Sequence, residues 1–226
     1  MIYLAVGSPI DQIGEEFLFS VHMFQHMMLM FFTPVLLYHG LPGWLLDLPL
    51  RRFPIFRKVW SLLVHPVFAG LFIVVNYVIW HIPWVYEAAL RDKMIHILEH
   101  AMMFGTAFLL FWSLMSASKV VPAISRPARM MLIFLVTIGF LPVFGMLAFS
   151  DQVLYPTYEW APRIVDISPL EDQILGAIIM KVIGMIFGLA GLGLNFYYWA
   201  REQNREDFFA EIDAENKKLR KLSTLP

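Results

Sequence analysis

The sequence predicts an all-α membrane protein: a polytopic bundle of about five transmembrane helices, with the N-terminus outside and the C-terminus in the cytoplasm. Three observations predict it. Of 226 residues, 59% are hydrophobic and only 15% charged, and the mean hydropathy of +0.64 is too high for an ordinary soluble domain. Apolar runs recur that can cross a hydrocarbon core of about 30 Å, which takes roughly 20 helical residues. Basic residues gather in alternate connections, as the positive-inside rule requires.

A short lead, 1–15, precedes the first span at 16–38. The linker 40–60 has Pro42 and Gly43 for punctuation and then Arg51, Arg52, Arg57 and Lys58. The second span covers 62–85 and closes on Trp80-His-Ile-Pro-Trp84; a brief loop with Glu87, Arg91, Asp92 and Lys93 leads to the third at 94–115. Lys119, Arg126 and Arg129 mark the next connection, the fourth span follows at 130–149, and the long loop 150–170 carries Asp151, Glu159, Asp166 and several aromatics. A fifth span at 171–199 ends in a charged amphipathic tail, so 1–199 reads as one membrane bundle and 200–226 as a cytoplasmic extension. The alternating signs of that tail suit a solvated or partner-binding helix. Trp80, Trp84, Tyr86, Tyr155, Tyr158 and Trp160 are expected in the outer interfacial aromatic belt. The lipid bilayer is the first partner; nucleic acid is not expected. Acidic Asp11, Glu15 and Glu16 stand where a signal peptide would be basic, so the first apolar run is expected to remain in the mature protein.

The chemistry lies in two apolar segments, His22-Met-Phe-Gln-His26-Met-Met-Leu-Met30 and His96-Ile-Leu-Glu-His100-Ala-Met-Met103. Four-residue spacing places both imidazoles of each pair on one helix face. With the expected topology His22, His26, His81, His96 and His100 all fall in the outer half of the bilayer, the first pair roughly 10–15 Å along its span. Polar groups at such depth are costly and tend to face a bundle interior or a functional cavity, so the five are expected to share a binding site. His39 and His65, on the inner side, are read as bonded to backbone or sitting at the interface.

Cysteine is absent, so a metal must use His, Met or carboxylate. Met23, Met27 and Met28 point away from the His22/His26 face and are read as packing, whereas Met30 and Met103 lie on or near the histidine stripes. Imidazole with thioether suits copper, as Cu(I), better than zinc, calcium or magnesium. Glu99 is expected to orient an imidazole from outside the coordination sphere. Asp172 and Gln173 open the fifth span, where capping or access to the site is expected. Lys181, about ten residues into that span, should face protein or water, with a partner subunit supplying its counter-ion.

The ordered set His22-Met-x-x-His26-Met-x-Leu-Met, His81-x-Pro-x-x-Tyr86-x-x-Ala-Leu, His96-x-x-Glu-His100 and Asp172-Gln-x-x-Gly176-x-x-x-Met180 resembles the caa3-type CtaG family of bacterial cytochrome c oxidase assembly factors. The motifs cover roughly residues 18–185. The resemblance implies a multi-pass protein of the bacterial inner (plasma) membrane that assists oxidase maturation without catalysing a reaction, copper delivery to the oxidase being the usual proposed role. It places family motif residues at His22, His26, His81, His96, Glu99 and His100. The chain departs from the family pattern in having fewer spans before the first motif, which leaves a shortened form or lateral cover by another subunit as alternatives. It also has Lys181 where the family commonly has Trp.

Other readings compete. Two facing imidazoles could ligate haem b. A metal-free subunit could pack structurally in a respiratory complex through its aromatic spans and charged tail. His96-Ile-Leu-Glu99-His100 matches a short metalloprotease string, but no soluble catalytic domain accompanies it. Histidine pairs of membrane desaturases are more numerous and cytoplasmic.

Overall fold

A computed structural model describes residues 9–223, with side chains up to residue 216 except that of residue 214. Residues 1–8 of the lead and the end of the tail, including the side chains of Lys217, Lys218, Arg220 and Lys221, lie outside the described part. Among the described residues all regular structure is helical.

Four helices are long and apolar enough to cross a membrane on their own. After α1 (Pro9–Glu16), the first is α2 (Phe19–Gly40). It contains a π-helical turn at Met28–Phe32, one residue ahead of Pro34. Proline lacks the N–H that would pair one turn back, and the wide turn accommodates this, with the Thr33 hydroxyl donating to Met28 O at 2.9 Å.

The predicted linker is itself helical, as α3 (Gly43–Arg52) and α4 (Pro54–Leu63). The second span is not the single run 62–85. Helix α4 meets α5 (Pro66–Trp80) at a 62° bend, and the two qualify as a span only together. Pro66 keeps His65 extended (ψ 132°) and stops α4, while the Ser113 hydroxyl donates to the carbonyl of Val64. The same device ends α5, where Ile82 is extended before Pro83 and α6 (Pro83–Arg91) starts afresh.

Helix α7 (Lys93–Met115) matches the third span closely; its N-cap Asp92 accepts from the amides of Met94 and Ile95. The fourth span consists of α8 (Arg126–Gly139) and α9 (Leu141–Ala148), broken before Pro142. A short α10 (Pro156–Trp160) sits in the loop between α9 and α11. Then α11 (Pro169–Ser223) runs without interruption from the fifth span into the charged tail.

Glycines let the spans approach closely. A Cβ at Gly176 of α11 would come within 2.5 Å of the Phe19 ring on α2, and one at Gly139 of α8 within 2.6 Å of Val74 on α5. The bundle ends differ chemically. One end gathers α1, α6, α10 and the start of α11; the other gathers α3, α4 and the start of α8, with Arg51, Arg52, Arg57, Lys58, Lys119, Arg126 and Arg129.

The aromatic belt is a correction. Trp84 and Trp160 are exposed as expected, but Trp80, Tyr86, Tyr155 and Tyr158 are buried. Their polar atoms find partners inside the protein: Trp80 donates to Asn76 Oδ1 (3.0 Å), Tyr155 to His81 O (3.0 Å) and Tyr158 to Gly14 O (2.7 Å), while the Tyr86 and Tyr158 hydroxyls lie 3.0 Å apart.

Candidate metal centre

The first two turns of α2 and of α7 lie side by side at one end of the bundle. They bring His22, His26, His96 and His100 together; His22, His26, His81, His96 and His100 are all buried. Ring centroids are 4.4 Å apart for His22 and His26, 5.2 Å for His22 and His96, 5.0 Å for His26 and His100, and 4.2 Å for His96 and His100. The Nε2 atoms of His22 and His26 are 2.9 Å apart. The observed start of α2 at Phe19 makes His22 and His26 shallower than expected, roughly 5–10 Å along the helix.

Glu99 is completely buried, and its Oε1 lies 3.6 Å from His26 Nε2. The carboxylate therefore lies among the imidazole nitrogens. Two sets of donors fall within 4.8 Å of one another: His22, His96 and His100, and His22, His26 and Glu99.

The cluster leaves buried polar atoms without hydrogen-bond partners: Nδ1 of His22 and His26, Nε2 of His96, both ring nitrogens of His100 and both oxygens of Glu99. An unpaired buried polar group costs about 1–3 kcal/mol, and folded proteins leave few of them. A coordinated cation would satisfy several at once.

His81 reaches the cluster from the end of α5, its ring 6.4 Å from that of His26. Its Nδ1 lies 2.7 Å from the Tyr77 carbonyl and so donates to it, leaving a lone pair on Nε2, 3.4 Å from Met23 Sδ. Donors about 2.0–2.3 Å from one tetrahedral ion lie roughly 3.3–3.8 Å apart, so this imidazole–thioether pair fits a common ion.

Met23, expected from the sequence to be packing, is the thioether that stands beside His81. Helical periodicity turned it away from His22, which is correct within α2, but its partner stands on another helix. The Met103 sulfur instead accepts from Asn76 Nδ2 at 3.5 Å, and Met30 is buried in the π-helical turn. His39 Nδ1 lies 2.8 Å from Val35 O, the backbone role anticipated for it. His65 precedes α5 at an exposed position.

A layer of Phe19, Tyr86, Tyr155 and Tyr158 adjoins the histidines, Tyr86 lying 5.5 Å from the His22 ring. Asp172 secures this region. It caps a helix, but the helix is α2: its carboxylate accepts from Phe19 N (2.7 Å), Ser20 N (3.2 Å) and the Ser20 hydroxyl (2.5 Å). The start of α11 is closed by Ser168 and Glu171 in a reciprocal capping box. Gln173 holds the loop that carries α10, accepting from Leu154 N and donating to Leu147 O and Gln152 O.

Lys181 lies apart from the histidines. It lines a cavity of about 500 Å³ between α2, α7, α8, α9 and α11, with its ammonium 5.7 Å from the centre of the Phe144 ring. Among the described residues it has no anionic partner.

Comparison with curated proteins and with solved structures finds no match for the chain. A family model does match, over residues 1–202, and it describes the cytochrome c oxidase caa3 assembly factor (Caa3_CtaG). That range contains every histidine discussed above, and membership of an assembly-factor family suggests a non-catalytic protein of the membrane that acts with the oxidase. The chain belongs to the cytochrome c oxidase caa3 assembly factor family.

Proposed function

We propose that this assembly factor holds copper, as Cu(I), in the histidine cluster and passes it to an oxidase subunit by ligand exchange. The observation that carries the reading is the set of buried, mutually close imidazoles with unpaired nitrogens. His22, His26, His96 and His100 form the core of the donor set, and His81 with Met23 adds an imidazole–thioether pair. Met30 and Met103 remain softer ligands available after rearrangement. Glu99, 3.6 Å from His26 Nε2, is close enough to orient that imidazole once an ion is bound. Imidazole with thioether and no thiolate favours Cu(I) among the common biological cations.

Direction follows from charge. The opposite bundle end carries the basic residues of α3, α4 and the start of α8, so the positive-inside rule puts that end in the cytoplasm and the histidines on the outer side of the bacterial plasma membrane. There the cluster meets an oxidase partner, and Lys181 obtains its counter-ion from that partner or another respiratory-complex subunit. Anaerobic Cu(I) titration of the purified protein tests the site. His22→Ala combined with His100→Ala is expected to abolish high-affinity binding; unchanged affinity removes the proposal.

A further inference from the structure

One group of donors overlaps the proposed Cu(I) cluster at a single residue, His96. Asp11 and Glu15 stand one turn apart on α1, and with His96 they offer three ligand atoms within 4.8 Å of one another. Glu15 Oε1 is 2.5 Å from His96 Nδ1, a hydrogen-bonded contact whose proton an ion would replace, and Asp11 Oδ1 accepts from Gln25 Nε2 at 3.0 Å. Both carboxylates are half-buried, whereas His96 is 4% exposed, so the trio bridges solvent and the buried cluster. His96 belongs to both groups, facing the carboxylates on one side and grouping with His22 and His100 on the other. Its buried Nε2 has no hydrogen-bond partner.

An ordinary ion pair needs one carboxylate. Here a second enters the same small volume, where like charges repel; Lys93 and the Gln25 amide offset part of that cost, and a bound cation would offset more. Two oxygens and one imidazole nitrogen form a harder donor set than the inner cluster, suited to a borderline divalent ion, with Cu2+ bound most strongly among the first-row metals. We propose that Asp11, Glu15 and His96 form a second, outer metal station for a divalent cation of the Cu2+ or Zn2+ type, at the mouth of the histidine cluster. The ion is held there without change of oxidation state. Only the idea that the station precedes the cluster on one route rests on the copper reading; the station itself stands on its own donors.

The test uses the full chain in detergent, titrated with Cu2+ in air and with Cu(I) anaerobically. The expected Cu2+ paramagnetic resonance spectrum shows coupling to no more than one nitrogen. Asp11→Asn with Glu15→Gln should weaken Cu2+ binding by more than about tenfold while changing Cu(I) affinity by less than about threefold. A Glu15 that merely orients His96 would instead cost the cluster about 10–100-fold in Cu(I) affinity. That parallel loss, an unchanged Cu2+ affinity, or coupling to several nitrogens in the unmodified protein would each overturn the proposal. Cu2+ at the station in a protein that takes no Cu(I) would remove the copper-delivery reading and leave the station standing.

Discussion

Replacing Asp172 with Ala removes a cap that acts between helices. The carboxylate is fully buried and accepts the first two amides of α2 and the Ser20 hydroxyl, at 2.7, 3.2 and 2.5 Å. Loss of an N-cap costs about 0.5–2 kcal/mol, and stranding buried donors adds about 1–3 kcal/mol, so we expect about 2–4 kcal/mol for the pair of effects. That corresponds to a fall in Tm of about 5–15 °C for a domain of this size. Asp172→Asn, which keeps one accepting oxygen and the shape, should lose less than half as much. Because His22 lies in the turn that the cap fixes, Cu(I) affinity should fall together with stability in Asp172→Ala. Thermal unfolding in mild detergent, followed by far-UV circular dichroism, and competitive Cu(I) titration provide the two readouts. An Asp172→Ala protein with unchanged Tm and unchanged Cu(I) affinity would refute the view that α11 fixes the register of the histidine helix.

Further outcomes follow from the same geometry. Met23→Leu preserves the packing volume and removes the sulfur beside His81, so Cu(I) affinity should fall by about tenfold, whereas Met103→Leu, whose sulfur faces Asn76, should change it less; equal effects would contradict the assigned donor set. Gly176→Val drives a side chain into the Phe19 ring and should destabilise by about 1–3 kcal/mol, read as a lower Tm. At the opposite end, burial works against ionisation of Asp47, but hydrogen bonds from the Ser118 hydroxyl, the Val120 amide, Arg51 and the Lys119 amide hold its carboxyl below the ordinary value of 3.8. Its folded value being depressed, its contribution is complete well above pH 3.8 and is lost as pH falls below that value; Asp47→Asn should flatten this part of an acid-unfolding curve. Protein from a haem-replete host should show no Soret band, because the ring pairs His96/His100 and His22/His100, 4.2 and 5.6 Å apart, leave no slot for a macrocycle between them, and the His26 and His81 rings, 6.4 Å apart, are closed in by Met23 against His81.

Periodicity and spacing carry information within one helix, and that is where the sequence was legible. His22/His26 and His96/His100 each declare one face, and the absence of cysteine limits what those faces can bind. Contacts between helices were not legible. Asp172 has the sequence context of a cap for its own helix, yet Ser168 and Glu171 do that work, so the carboxylate is free to cap α2. Met23 follows the same logic, since only the fold places it against His81. Tyr155 and Tyr158 looked interfacial because they lie in a loop, but their hydroxyls find backbone carbonyls at helix ends and the rings turn inward. The breaks at His65 and Ile82 could have been drawn from Pro66 and Pro83 alone, since the residue before proline avoids the helical region. Asp11 and Glu15 also left a trace, a one-turn spacing just ahead of the first histidine motif.

The central claim is that the buried imidazoles are a copper site. Copper X-ray absorption on the full-length protein loaded anaerobically with Cu(I) tests it most directly. The account predicts low-coordinate Cu(I) with imidazole scatterers at about 2.0 Å and a sulfur near 2.3 Å, distances typical of such donors, with the sulfur lost in Met23→Leu. Failure to retain copper through buffer exchange, or a shell made only of oxygen donors, would contradict it.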